Sequence, residues 1–128
     1  MRHDILSDVL SAIKNAERRG KVETITPSSK LVKNVLLLLQ KHRYVGEFEH
    51  IEDNKGGKFK IKLIGKINDC NSIRPRLTAK KKDYETYEKR YLPAVGMGMI
   101  FVSTSQGIMT HIEAKEKGIG GSLIAFVY

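Results

Sequence analysis

The run MGMIFVS, residues 97–103, is the feature that most constrains the fold. It is continuous, apolar and β-rich, which is typical of a strand buried on both faces of a sheet. The run SLIAFVY, residues 122–128, predicts a second, closing strand. The C-terminal half is therefore expected to be dominated by a sheet.

The first half has helical periodicity. Residues 4–19 predict a helix in which Ile5, Val9 and Ile13 stack on one face. A second helix with a broad leucine-rich face follows a short strand, and Ser28 is its predicted N-cap because a small hydroxyl there can accept an orphan backbone N–H. Both apolar faces are interpreted as core.

A strand hairpin comes next, with the glycine-rich turn EDNKGG between its strands. In the second strand Phe59, Ile61 and Leu63 alternate with lysines, so one face is expected to be buried and the other wet. The lysine stripe could contact phosphates, but a solvated face is the commoner explanation for it. The lysines of the stripe are Lys58, Lys60 and Lys62.

Two segments of the C-terminal half have the sequence features of helices. Thr110 and Glu113 have the spacing of a capping box, which predicts a short helix over residues 111–117 that ends at Gly118. Upstream, tyrosines at helical spacing predict a helix that packs on the sheet, with base stacking as the alternative. These tyrosines are Tyr84, Tyr87 and Tyr91.

The predicted class is α/β, more specifically α+β: a small α/β N-terminal domain over residues 1–65, packed on a mostly β C-terminal domain with a short helix over residues 66–128. The change of character near Gly65 places the boundary. No internal repeat is visible.

The chain carries 23 Lys and Arg against 14 Asp and Glu, a net charge of +9. Such a field favours anionic partners, nucleic acid first. The densest basic segment is RPRLTAKKK, residues 74–82, with five cations and no acid. We interpret it as a loop or edge segment that contacts phosphates.

Enzyme motifs are missing. The segment KGIGGSL has Leu123 where a dinucleotide loop needs its third glycine, and no metal-ligand spacing joins the four histidines, which we interpret as surface or cap residues. The lone Cys70 excludes an internal disulfide and indicates an intracellular chain. Neither a signal peptide nor a membrane span is expected. We expect no enzyme activity, no cofactor and no metal.

The stretch VSTSQGIMTH, residues 102–111, contains no lysine, arginine, aspartate or glutamate. Its hydroxyls could read the mixed donors and acceptors of an RNA surface, and we expect the turn to lie between a buried strand and the free N–H groups of a helix N-terminus. The residues alone fit equally well a plain turn whose hydroxyls bond their own backbone.

The segment VSTSQGIMTHIEAKEKGIGGSLIAFVY closely resembles the C-terminal signature of the small-subunit ribosomal protein eight family. DILSDVLSAIKNAERRGK, PSSKL, GEFEHIED and RPR resemble further parts of that family, so the likeness covers nearly the whole chain. YEKRYLPA and the final FVY resemble its archaeal and eukaryotic branch.

The resemblance implies a cytoplasmic, ribosome-bound protein that docks on a central-domain helix of small-subunit rRNA, helps to assemble the platform beside neighbouring ribosomal proteins, and represses its own operon mRNA in many members. The main RNA-reading turn would be Ser103, Thr104, Ser105, Gln106 and Gly107. Supporting contacts would be Lys14, Asn15, Ser29, Lys30, Arg74 and Arg76.

The chain departs from the family at a few positions. Gln106 stands where bacterial members carry lysine, and His111 and Ile112 replace a more acidic pair. The competing interpretation is a generic binder of single-stranded RNA or DNA that relies on lysines and tyrosine stacking.

Overall fold

The computed structural model describes residues 5–52, 56–94 and 96–128, without the side chains of residues 74–76. His3, one of the four histidines interpreted as surface or cap residues, and part of the turn EDNKGG lie outside these residues. The chain divides into two compact units, Met1–Asn68 and Asp69–Tyr128. Both combine helices with antiparallel strands, so the fold is α+β. The predicted domain boundary at residue 65 stays a prediction.

The first unit has two helices and a three-stranded antiparallel sheet with strand order β1-β3-β2. Helix α1 packs on β1, and α2 packs on β2. Its elements are α1 (Ile5–Arg18), β1 (Glu23–Pro27), α2 (Lys30–Lys41), β2 (Val45–Ile51) and β3 (Lys58–Leu63).

Burial in this unit follows the apolar periodicity. Val9 and Ile13 of α1 are fully buried, but Ile5, which was expected in the same stack, is 42% exposed because it begins the helix, a turn before Val9. In β3 the side chains of Phe59, Ile61 and Leu63 are buried as the alternation predicted.

The N-cap of α2 is Ser29, so the prediction of Ser28 was wrong by one residue. Ser29 has an extended backbone and its Oγ accepts a hydrogen bond from the Val32 backbone N at 3.2 Å. Two adjacent serines carry the same chemistry, and only the backbone geometry decides which one caps.

The second unit is a four-stranded antiparallel sheet with strand order β4-β7-β5-β6 and helices on it. Its elements are β4 (Cys70–Ala79), a 3-10 helix (Lys81–Asp83), α3 (Tyr84–Tyr91), β5 (Met99–Thr104), β6 (Gly107–Thr110), α4 (His111–Lys117) and β7 (Gly121–Val127). The basic segment at residues 74–82 was interpreted as a loop or edge segment, and its first part lies in the edge strand β4 despite Pro75, which edge strands tolerate.

Strand β5 is buried on both faces over residues 99–102, as its composition predicted. Ile100 and Val102 belong to the same apolar cluster as Tyr84, Ala114 and Leu123, which joins the sheet to α3 and α4. Because this core is closely packed, it fixes the position of the C-terminal end of β5 and of the turn at residues 103–107 that follows it.

The tyrosines of α3 pack on the sheet, as predicted. Tyr84 is fully buried and its hydroxyl donates to the Ile119 carbonyl at 2.8 Å. Tyr91 stacks on Phe126 of β7 with ring centroids 5.5 Å apart, and Tyr87 stacks on Tyr91. These rings therefore use much of their faces within the protein.

Candidate nucleic-acid interface

The predicted RNA-reading residues form the tip of the hairpin that joins β5 to β6. Thr104 pairs with Gly107 across the hairpin, and Ser105 and Gln106 are the loop between them. Ser105, Gln106 and Gly107 are exposed, whereas Ser103 and Thr104 are half-buried. Gly107 has φ +108°, a backbone conformation that residues with a Cβ rarely adopt.

The hydroxyl of Thr104 locks this tip. It donates to the Gly107 carbonyl at 2.8 Å and accepts from the Gln106 backbone N at 3.1 Å. Thr104 is therefore bonded to its own turn, which is the structural alternative left open by the sequence. The side chains of Ser105 and Gln106 have no partner within the described parts of the chain and face solvent.

Two glycines set the position of this hairpin at the end of the sheet. A Cβ at Gly121 would overlap the Ser103 carbonyl oxygen and lie 2.8 Å from Val102 Cγ1. A Cβ at Gly120 would crowd the Ala79 carbonyl oxygen in the same way. The segment GIGG thus lets β7 enter tightly between β4 and β5, a packing role rather than a phosphate loop.

The prediction that the turn lies beside the N-terminus of a helix was wrong. Strand β6 separates the turn from α4, and Thr110, the N-cap of α4, pairs with Phe101 at the far end of β6. The free N–H groups of α4 therefore lie about 10 Å or more from the tip, the length of three strand residues. The helix itself was predicted correctly, with Thr110 Oγ1 accepting from the Glu113 backbone N at 3.3 Å and Gly118 ending it at φ 69°.

The predicted supporting contacts belong to other elements, four of them in the first unit. Lys14 and Asn15 are in the last turns of α1, where Asn15 is exposed, and Lys30 is exposed at the start of α2. Ser29 has its hydroxyl engaged as the cap of α2. The side chains of Arg74 and Arg76 lie outside the described residues, although their backbone belongs to β4.

A family model described as Ribosomal protein S8 matches residues 4–128, nearly the whole chain. The chain belongs to the ribosomal protein S8 family. As a member of this family it is a structural protein of the small ribosomal subunit that binds rRNA, and its partners there are rRNA and other ribosomal proteins.

The middle lysine of the β3 stripe in this S8-family chain has acidic neighbours on both adjoining strands. Lys60 forms an ion pair with Glu23 at 3.5 Å and faces Glu49 across the sheet. Glutamates on both neighbouring strands thus offset the charge of Lys60, which supports the solvated-face interpretation.

His111 was expected at the surface or in a cap, and that was wrong for this residue. It begins α4 with only 2% of its surface exposed. Its Nδ1 accepts from the Ile100 backbone N at 3.0 Å, and its Nε2 lies 2.9 Å from Glu88 Oε1. Burial lowers the pKa of His111, the Lys115 ammonium acts in the same direction, and the Glu88 carboxylate opposes both.

Both ring nitrogens of His111 have a partner within the protein. A backbone N–H can only donate, so Nδ1 must keep its lone pair and Nε2 carries the proton that Glu88 accepts. No group of three His, Cys, Asp or Glu side chains that could hold a metal occurs within residues 5–52, 56–94 and 96–128. None of the helices in these ranges has the length and apolar character of a membrane span.

Proposed function

We propose that the β5–β6 hairpin, residues 103–107, is the surface with which this ribosomal protein reads its rRNA site. The observation that carries the proposal is an exposed, uncharged tip, Ser105 and Gln106, held rigid by the Thr104 hydroxyl. Short fixed hydroxyls and backbone groups suit 2′-hydroxyls and base edges, which lysine ammonium groups cannot discriminate.

The roles within the tip differ. Ser105 and Gln106 contact the RNA, Gly107 permits close approach of the backbone, and Thr104 positions them. Ser103 pairs with Ser122 of the neighbouring strand β7 and supports the base of the tip. Lys14, Asn15, Lys30, Arg74 and Arg76 supply further contacts, while Ser29 contributes through its cap of α2.

The RNA target in this proposal is a helix in the central domain of small-subunit rRNA, and binding there helps to assemble the platform. The same surface would bind a mimic of that helix in the protein's own operon mRNA. The protein acts in the cytoplasm, bound to the ribosome. YEKRYLPA and FVY support a place in the archaeal and eukaryotic branch.

The test is the Ser105→Ala variant. Its affinity for a central-domain rRNA fragment should fall by about 1–3 kcal/mol, the scale of one specific contact. Its melting temperature should stay unchanged because the side chain is exposed and outside the bonds of the turn. Thr86→Ala, which removes an exposed hydroxyl from α3 in the same unit, is the matched control and should keep full affinity.

Two results would contradict the proposal. One is unchanged affinity of Ser105→Ala. The other is equal affinity of the natural protein for the rRNA fragment and for unrelated RNA, which would point to the generic single-strand binder. The comparison is made at moderate salt because non-specific affinity falls steeply there, when less free energy is gained from counterion release. That alternative is disfavoured by the burial of Tyr84 and by the stacking of Tyr91 on Phe126. Competition between the rRNA fragment and the operon mRNA tests autoregulation.

A further inference from the structure

Four lysines from two separate segments line one cavity in the second unit. Lys80, Lys81 and Lys82 follow β4 and enter the 3-10 helix, and Lys115 comes from α4. The cavity has a volume of about 440 Å³. All four lining residues are lysines, and their methylene stems supply most of the surface that the cavity exposes.

Two acids lie near these lysines, and one of them pairs with a lysine of the cluster. Asp83 Oδ2 accepts the Lys80 backbone N–H at 2.9 Å, and Glu85 pairs with Lys115 at 3.1 Å. The hydrogen bond and the charge of Lys115 lower the pKa of Glu85. Within the described residues, the ammonium groups of Lys80, Lys81 and Lys82 form no ion pair, so the four lysines and these two acids together keep a net positive charge.

Strand register places this cluster at the same end of the sheet as the hairpin tip. Ala79, the last residue of β4, pairs with Gly121, and Ser103 near the end of β5 pairs with Ser122 on the other side of β7. The end of β4, which leads into these lysines, and the end of β5, which leads into the hairpin, are therefore two lateral strand spacings apart, about 10 Å. The close approach that Gly120 and Gly121 permit keeps these ends together.

We infer that Lys80, Lys81, Lys82 and Lys115 form a phosphate-binding site that holds the RNA backbone next to the segment contacted by the hairpin. The inference rests on the proposed function of the hairpin. Lysine ammonium groups attract phosphates as flexible point charges and fix the position of an RNA without reading its sequence. In this arrangement the neutral tip discriminates between RNA sites, and the lysine cluster attracts the RNA backbone.

The test compares two triple variants with the same change in net charge. K80Q/K81Q/K82Q removes the unpaired lysines of the cavity, and K58Q/K60Q/K62Q removes the stripe of β3, in which Lys60 pairs with Glu23. The affinity of each for the central-domain rRNA fragment is measured across a range of salt concentrations. The slope of log K against log salt should become shallower by about one unit for each cavity lysine that contacts a phosphate.

We expect the cavity variant to lose at least about one unit of slope and the control to lose less than half as much. An unchanged slope in the cavity variant would overturn the inference. An equal loss in both variants would also overturn it, because it would show a general effect of net charge. All six lysines are at least partly exposed, so melting temperatures should show that both variants fold.

The tests of the phosphate site and of the hairpin proposal have different readouts, the salt slope for the first and the preference for the rRNA fragment for the second. K80Q/K81Q/K82Q should keep the preference for the rRNA fragment over unrelated RNA, whereas Ser105→Ala should weaken that preference and keep the natural salt slope. If the natural protein shows no preference, the hairpin proposal fails. If the preference is present and the cavity variant keeps the natural slope, only the phosphate site fails.

Discussion

Replacing His111 by leucine should destabilise the second unit by about 2–4 kcal/mol. The Ile100 backbone N–H is fully buried and donates to His111 Nδ1 at 3.0 Å. Leucine fills a similar volume but offers no acceptor, and an unsatisfied buried donor costs about 1–3 kcal/mol. The remainder is the lost hydrogen bond to Glu88, which is reduced because 23% of that side chain is exposed and can be rehydrated.

Urea unfolding followed by tyrosine fluorescence measures this loss directly. The protein has five tyrosines and no tryptophan. Tyr44 lies in the first unit, and the other four tyrosines report on the unit that contains His111. Glu88→Gln is the matched control: it keeps an acceptor for Nε2–H and leaves the Ile100 bond intact, so it should cost less than half as much.

The same contact makes the stability depend on pH with a defined sign. Because burial lowers the pKa of His111, the unfolded chain takes up a proton below about pH 6.5 that the folded chain refuses. The free energy of unfolding is therefore highest above that pH and falls as the pH drops towards the lower folded pKa. Protonation of Nδ1 would also displace the Ile100 N–H, which adds to this cost.

The variant and the natural protein should consequently converge in acid. The stability difference caused by His111→Leu is expected at full size at pH 7.5 and smaller at pH 5.5, because only the natural protein loses the contribution of a neutral His111. A difference that stays constant or grows on acidification would refute the assignment of His111 as a neutral acceptor. So would a loss of stability in Glu88→Gln as large as in His111→Leu.

Two further changes test the backbone geometry. Gly121→Ala should lower the free energy of unfolding by about 1–3 kcal/mol, since the new Cβ would overlap the Ser103 carbonyl oxygen in a packed sheet, and the same urea titration should show Ser122→Ala near the natural midpoint. Arg43→Gly should raise the free energy of unfolding by about 0.5–1 kcal/mol, because Arg43 is exposed and held at φ 62° after α2, a conformation that does not strain glycine. A lower urea midpoint for this variant would contradict the prediction.

The elements that the sequence predicted well are those whose signal is local. Thr110, Glu113 and Gly118 define α4 through a cap and a stop that need no distant partner. The alternation in β3 and the apolar run of β5 likewise report burial directly. Strand β6 was missed because its four residues are too few to show a period, and only pairing with β5 makes them a strand.

The site was harder to predict because its chemistry comes from contacts between distant residues. His111 is a neutral, buried acceptor only because Glu88 and Ile100 are brought to its two ring nitrogens. Lys115 joins the basic run at Lys80–Lys82 across more than thirty residues, although on the sequence it is one cation among several in α4. Conversely, the stripe of β3 looks as basic as that run, yet its glutamate partners come from other strands. A cluster of cations indicates an anion site only when the residues around it in space leave a net positive charge. Strand register, which brings glutamates to the β3 stripe, therefore distinguishes that stripe from the lysines at residues 80–82.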